Sequence, residues 1–260
     1  MTLPPPLEPV TPDPRKLRRT AYILVAIMII GGGLVLRSYN QWAENKAKDD
    51  RPAFVWRLSD HPDRDLHLVR QDGSEAGLLQ LMGTVSVIHT TVREAHHDRT
   101  AAVMRRLRDH YADNPEVSLV SLVLDPAPGD AAVDSLAETA AEMGAQLPRW
   151  WVATTADPTV LRKFLSLKDL RPEVVPHQVE GRWIYDPSVT LIDRNRHVRR
   201  GVVPQVRGGP QYTANFNFDQ AADWDSKKIL TGTERSNVEE LERLLIKTID
   251  QLLAEKRKTP

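Results

Sequence analysis

The sequence predicts an α/β domain, a small central mixed sheet flanked by helices, tethered by an N-terminal transmembrane helix. Three observations carry this. Thr20–Leu36 is a run of seventeen uncharged residues. Between Thr84 and Phe164, β-branched apolar runs alternate with amphipathic stretches. A hairpin signal and a long apolar-striped helix then close the chain. Strands alternating with helices are the pattern of a layered α/β sheet.

Composition narrows the chemistry. The 260 residues carry 35 basic and 35 acidic side chains, so there is no net field to gather nucleic acid. Cysteine is absent. That excludes disulfides, thiolate nucleophiles, CxxC redox pairs and cysteine-based metal sites. The length suffices for one large domain with a real core.

Residues 1–19 form a proline-rich tail, with Pro4, Pro5, Pro6, Pro9, Pro12 and Pro14 in its first part. Such a segment buries too little apolar surface to fold and is expected to be disordered. Residues 20–36 are the anchor, about 25 Å of helix, at the short end of a membrane span. Arg19 and Arg37 flank it, and Tyr22 and Tyr39 stand where interfacial aromatics belong. Gly31, Gly32 and Gly33 weaken a helix in water but are tolerated in lipid. A cleavable signal peptide has a shorter apolar core and a small-x-small cleavage site, which the residues after Leu36 do not offer. Arg15, Lys16, Arg18 and Arg19 crowd the N-terminal flank, so the N-terminus is expected in the cytoplasm and the domain in the periplasm or an equivalent space. Residues 37–53 are a polar stalk.

The domain occupies 54–260. Leu66–Val69 and the turn Gln71-Asp72-Gly73 begin a pair of short strands. Thr84–Thr90 alternates and is β-branched, a strand; His96–His110 reads as an amphipathic helix. Val117–Leu124 is a strand buried on both faces. Ala131–Met143 is a helix stopped by Gly144, Trp150–Thr154 a strand, and Pro158 opens a short helix to Phe164. Val189–Asp193 and His197–Val203 form a hairpin around Arg194-Asn195. Residues 204–237 are an extended segment of the kind that is either functional or disordered. Its aromatics Tyr212, Phe216, Phe218 and Trp224, separated by polar residues, read as a partner-docking surface or as cover for the sheet edge; docking is the expectation. Residues 238–255 are the C-terminal helix, with Leu241, Leu244, Leu245, Ile249, Leu252 and Leu253 on one stripe.

This element order resembles a thioredoxin-like domain, and three motifs narrow it. Gln71-Asp72-Gly73 through Leu81-Met82-Gly83 into Thr84–Ile88 is similar to the entry of the Sco/SenC family. Leu119–Pro126 resembles that family's "FVSISVDP". Tyr185-Asp186-Pro187-Ser188 through Asp193 resembles its "YDHSTVIYLID". The family comprises membrane-anchored copper chaperones for cytochrome oxidase assembly. The resemblance implies a copper site built on S-C-P-x-x-C-P after the first buried strand, a following threonine, and the histidine of "DHS". Alignment on Thr100 puts Val92 at the first cysteine and His96 at the second, while Pro187 stands at the histidine. Valine and proline cannot donate to Cu(I), so the resemblance implies a member whose copper site has degenerated. Thioredoxin-like proteins also place a cis-proline before the strand facing the active loop, and Pro187 fits that context, as a shaped surface or as a rigid strand entry.

Replacement ligands are confined to His89, His96, His97 and His177, with Asp186 as a further donor. Adjacent His96 and His97 on a helix point apart, which argues against chelation. The charged stretch Arg93–Arg99 reads as a solvated face with Asp98 as a cap, and Asp60–Asp65 as a polar loop. No catalytic residue is expected. The sequence therefore leads to a non-catalytic, membrane-anchored protein without a resident cofactor. It would bind a protein partner in respiratory-oxidase assembly or a neighbouring membrane complex. The alternative is a histidine-based copper chaperone. A thiol oxidoreductase is excluded by the missing cysteines.

Overall fold

The computed structural model describes residues 13–48, 50–93, 99–166, 170, 172–203, 212–229 and 234–255. The chain divides into two units. The first is built on α1 (Pro14–Lys48), a continuous helix that runs through the apolar segment and well into the polar residues beyond it. It is the one described helix long and apolar enough to cross a membrane. Its Ile27, Met28, Ile30 and Leu34 are all exposed.

The second unit is the α/β domain. Strand β1 (Ala53–Arg57) leads to the hairpin of β2 (His67–Arg70) and β3 (Glu75–Gly77). Gly73 takes the positive φ that its turn requires. Strand β4 (Val85–Thr91) is followed by α2 (Arg99–His110), β5 (Val117–Val123), α3 (Ala131–Met143), β6 (Trp150–Thr154) and α4 (Pro158–Phe164). Helix α3 stops at Gly144, whose left-handed backbone lets its N–H reach the carbonyls of Ala140 and Ala141. Asp157 caps α4 by accepting the Thr159 N–H. Then come the small hairpin β7 (His177–Val179) and β8 (Arg182–Ile184), followed by β9 (Thr190–Ile192), β10 (His197–Val203), β11 (Tyr212–Ala214), α5 (Phe218–Ser226) and α6 (Asn237–Ala254).

Among the described residues the main sheet runs β1-β10-β9-β4-β5-β6-β2-β3, with β11 also paired to β10. Strands β4, β5 and β6 are parallel; the other pairs are antiparallel. The parallel run explains the long unbroken apolar strings of β4 and β5, both buried along their whole length. Alternate residues face two apolar layers. Val85 and Val87, Leu119 and Val123, and Trp150 and Val152 pack under α2, α3, α5 and α6. Ile88, Val120, Leu122, Trp151 and Ala153 face the layer containing Leu161 and Phe164 of α4.

The segment 204–237 differs from the extended segment expected for it. Its described part supplies β11 and α5. Phe216 bridges to Val189, and Asn217 caps α5 through the Gln220 N–H. Phe216 and Phe218 are 1% and 0% exposed and belong to the core. They are therefore corrected from docking residues to packing residues, because burying two rings outweighs displaying them. Tyr212 and Trp224 remain 60% and 40% exposed.

Candidate functional site

The candidate site lies at the carboxyl ends of the parallel strands, the edge where open α/β sheets place their ligand-binding loops. Strand β4 delivers Val92 there. The antiparallel pairing of β4 with β9 runs from Ser86↔Ile192 to Ile88↔Thr190. Thr100, buried in the first turn of α2, donates its Oγ1–H to the Pro187 carbonyl at 3.1 Å. Thr100 thus ties the start of α2 to the Pro187 position. His96, with its neighbour His97, lies outside the described residues.

Each surviving position is committed to structure. Val92 packs against the apolar layer on the α4 side, which Trp183 and Tyr185 also join. The Asp186 carboxylate accepts the Ser188 N–H at 2.9 Å and the Glu173 N–H at 2.7 Å, holding the turn that presents Pro187. Asp125 at the end of β5 accepts the Arg93 N–H at 2.8 Å, and its carbonyl accepts Arg93 Nε–H at 2.6 Å. The Asp186–Pro187 peptide is trans, correcting the cis expectation; among the described residues the cis X-Pro bond is Leu147–Pro148. An aliphatic side chain, a proline carbonyl and a carboxylate held by backbone donors supply neither a nucleophile nor a soft donor set.

His89 stands beneath this edge, fully buried in β4. Its Nδ1 lies 3.3 Å from Ser121 Oγ on the neighbouring strand, and Ser121 Oγ accepts the Trp150 indole N–H at 2.8 Å. Among the described residues its Nε2 has no partner. Burial pushes the imidazole down from its usual range to about 4. His177 is on the exposed face of β7, its Nδ1 2.9 Å from the Val175 carbonyl. Among the described residues no three His, Cys, Asp or Glu side chains gather to hold a metal ion.

Sequence reasoning missed the β7–β8 hairpin beside the site. It turns Trp183 inward and leaves Val175, Val179 and Ile184 exposed. The available signal was Glu180-Gly181, two residues with positive φ between short β-prone runs.

Solved structures with this arrangement of strands and helices exist. A SCO1/SenC family lipoprotein from Bacillus anthracis is 19% identical, with a TM-score of 0.51 over 78% of this chain and 97% of that one. BsSco, described as a member of the Sco family of cytochrome c oxidase assembly proteins, is 17% identical, with a TM-score of 0.51 over 80% and 98%. The fold is Sco-like. No family model matches the sequence, and no curated protein matches it. The Sco-like domain is thioredoxin-like in its central mixed sheet flanked by helices, as the sequence predicts. On it, the positions that the sequence resemblance assigns to copper hold Val92, His96 and Pro187.

Proposed function

We propose that this chain is a membrane-anchored, non-catalytic Sco-like protein that binds a protein partner during assembly of a respiratory oxidase or a neighbouring membrane complex. The observation that supports it most is the retained frame around changed residues. The strand end, the Thr100–Pro187 tie and the Asp186 turn are all in place, while Val92 fills an apolar seat. A frame kept without soft donors suits recognition of a surface better than transfer of Cu(I). The basic cluster Arg15, Lys16, Arg18 and Arg19 favours a cytoplasmic N-terminus, with the domain on the far side of the inner membrane.

The test uses the full-length chain in detergent. Titrated with Cu(I) against a competing chelator, it should show no stoichiometric submicromolar site. Affinity purification from solubilised membranes should recover integral-membrane subunits of one complex. Tight copper binding lost in His96→Ala would replace this reading with the histidine-based copper chaperone. Recovery of no membrane partner, with no copper site, would end both.

A further inference from the structure

We propose that the N-terminal end of α1 holds a phospholipid of net negative charge, with its phosphate on Arg15, Arg18 and Arg19 and its acyl chain along Ile23 and Ala26. The inference rests on the proposed reading of α1 as an uncleaved membrane anchor. Three facts carry it. Arg15, Arg18, Arg19, Tyr22, Ile23 and Ala26 line one open concavity on α1, and all six are exposed. Arg18 Cζ stands 5.9 Å from the centre of the Tyr22 ring. The first turn is already capped: the Asp13 carboxylate accepts the Arg15 N–H at 2.9 Å, and the Asp13 carbonyl accepts the Leu17 N–H at 3.0 Å. What this end offers a ligand is therefore its side chains.

The helical repeat orders those side chains. At ~100° per residue, Arg15, Arg18, Arg19, Tyr22 and Ala26 fall within an arc of about 100° on one face. Along the axis Arg15 to Arg19 spans about 6 Å, Tyr22 lies about 4.5 Å deeper, and Ala26 about 6 Å beyond that. Cation, amphipathic ring and apolar side chain is the order in which a helix entering a bilayer meets phosphate, glycerol ester and acyl chain.

Charge decides which lipid. Residues 1–19 carry four basic side chains, Arg15, Lys16, Arg18 and Arg19, against two acidic ones, Glu8 and Asp13. Arg15 stands one turn from both Arg18 and Arg19, a spacing at which like charges repel. A phosphate set among the three guanidiniums removes that repulsion and accepts from their forked N–H groups. The Tyr22 ring holds Arg18 on this face. A zwitterionic headgroup brings its own ammonium beside three guanidiniums, whereas a net-negative headgroup brings none. The far end of the apolar segment has Arg37 and then no cation until Lys46, so it offers no comparable cluster.

The experiment is native mass spectrometry of the full-length chain, delipidated in detergent and titrated with phosphatidylglycerol or phosphatidylcholine of matched chains. Topology plays no part in detergent. Intact mass is read first. A mature chain beginning after Leu36 overturns the anchor reading and this inference with it; a full-length chain puts only the lipid site at stake. Phosphatidylglycerol should then bind ~10–100-fold more tightly at low salt, and the preference should fall about fivefold for each replacement among Arg15→Gln, Arg18→Gln and Arg19→Gln. Glutamine keeps nearly the helix propensity of arginine, so α1 persists in these variants. Arg37→Gln should leave the preference unchanged. Equal binding of the two lipids, a preference kept in the triple variant, or one lost equally in Arg37→Gln overturns the proposal. Displacement of phosphatidylglycerol by equimolar glycerol phosphate would reveal a site for free phosphate esters and overturn the lipid assignment.

Discussion

Gly201 and Phe216 share one pocket of space. A Cβ on Gly201 would stand 2.9 Å from Phe216 Cζ, 3.1 Å from Thr248 Oγ1 and 3.2 Å from Leu244 Cγ, so the bare backbone of β10 is what admits the ring against α6. Truncating that ring leaves a cavity in the centre of a packed layer. Phe216→Ala should cost ~3–5 kcal/mol and lower the thermal midpoint sharply, whereas Tyr212→Ala and Trp224→Ala should each stay within ~0.5 kcal/mol. Equal melting of all three variants in the same calorimetric scan would contradict this assignment. The run Asn215-Phe216-Asn217-Phe218 carries a signal of its burial, since a period of two with both rings on one side is a strand turning inward. Its polar neighbours make it resemble a display surface. What decides the matter is Gly201, distant in sequence and silent until the fold brings it close.

Helix α6 owes its start to two local devices. Ser236 accepts the Glu239 N–H while Glu239 accepts the Ser236 N–H, a reciprocal capping box. The Asp225 carboxylate accepts the N–H groups of Asn237 at 2.6 Å and Val238 at 3.2 Å, and these backbone bonds hold its pKa below the usual carboxylate range. Ser236→Ala should cost ~1 kcal/mol, measured by denaturant unfolding, with Ser236→Asp largely restoring it. Elements with such self-contained signals are legible to the residue. Helix α3 ends at its glycine, α4 begins at its proline, and β6 spans the tryptophan pair. The strands that the sequence pattern does not announce, β1, β7, β8 and β11, are short and partly exposed, and β1 and β11 take their hydrogen bonds from β10. An edge strand whose partner is remote has no local period to reveal it.

At the scale of the whole chain, the apolar segment is legible because a run with neither a charged residue nor a polar face fits few environments besides a bilayer. Helix α1 makes it one part of a helix of 35 residues, about 52 Å long. Alkaline carbonate extraction should leave the full-length protein in the membrane pellet with its N-terminal peptide intact. A mature form beginning after Leu36 would show instead that the segment is a cleaved leader. The candidate site is legible as positions rather than as geometry. Val92, Thr100 and Pro187 can be picked out by motif, but the Thr100–Pro187 hydrogen bond and the packing of Val92 against the α4-side layer are visible only in the folded chain. In the sequence His89 is one of a few metal candidates. Its full burial is visible only in the folded chain.

The pairing of β1 with β10 has a consequence for how the chain is made. Ala53 finds its partner in Arg200, and among the described residues β1 has no other neighbour in the sheet. At ~5–20 residues per second, synthesis of the roughly 150 intervening residues takes about 7–30 s, during which the first strand emerges with nothing to pair with. Over that interval Phe54, Trp56 and an open backbone edge are offered to any other chain nearby, while the parallel core β4-β5-β6 has already become available for folding. Slow synthesis of the last quarter of the protein, or a stop before β10, should therefore yield nascent chains whose strands β4–β6 are present but lack their α5–α6 cover and whose leading edge is still sticky. Association with holdase chaperones should end abruptly once residues beyond Val203 are available.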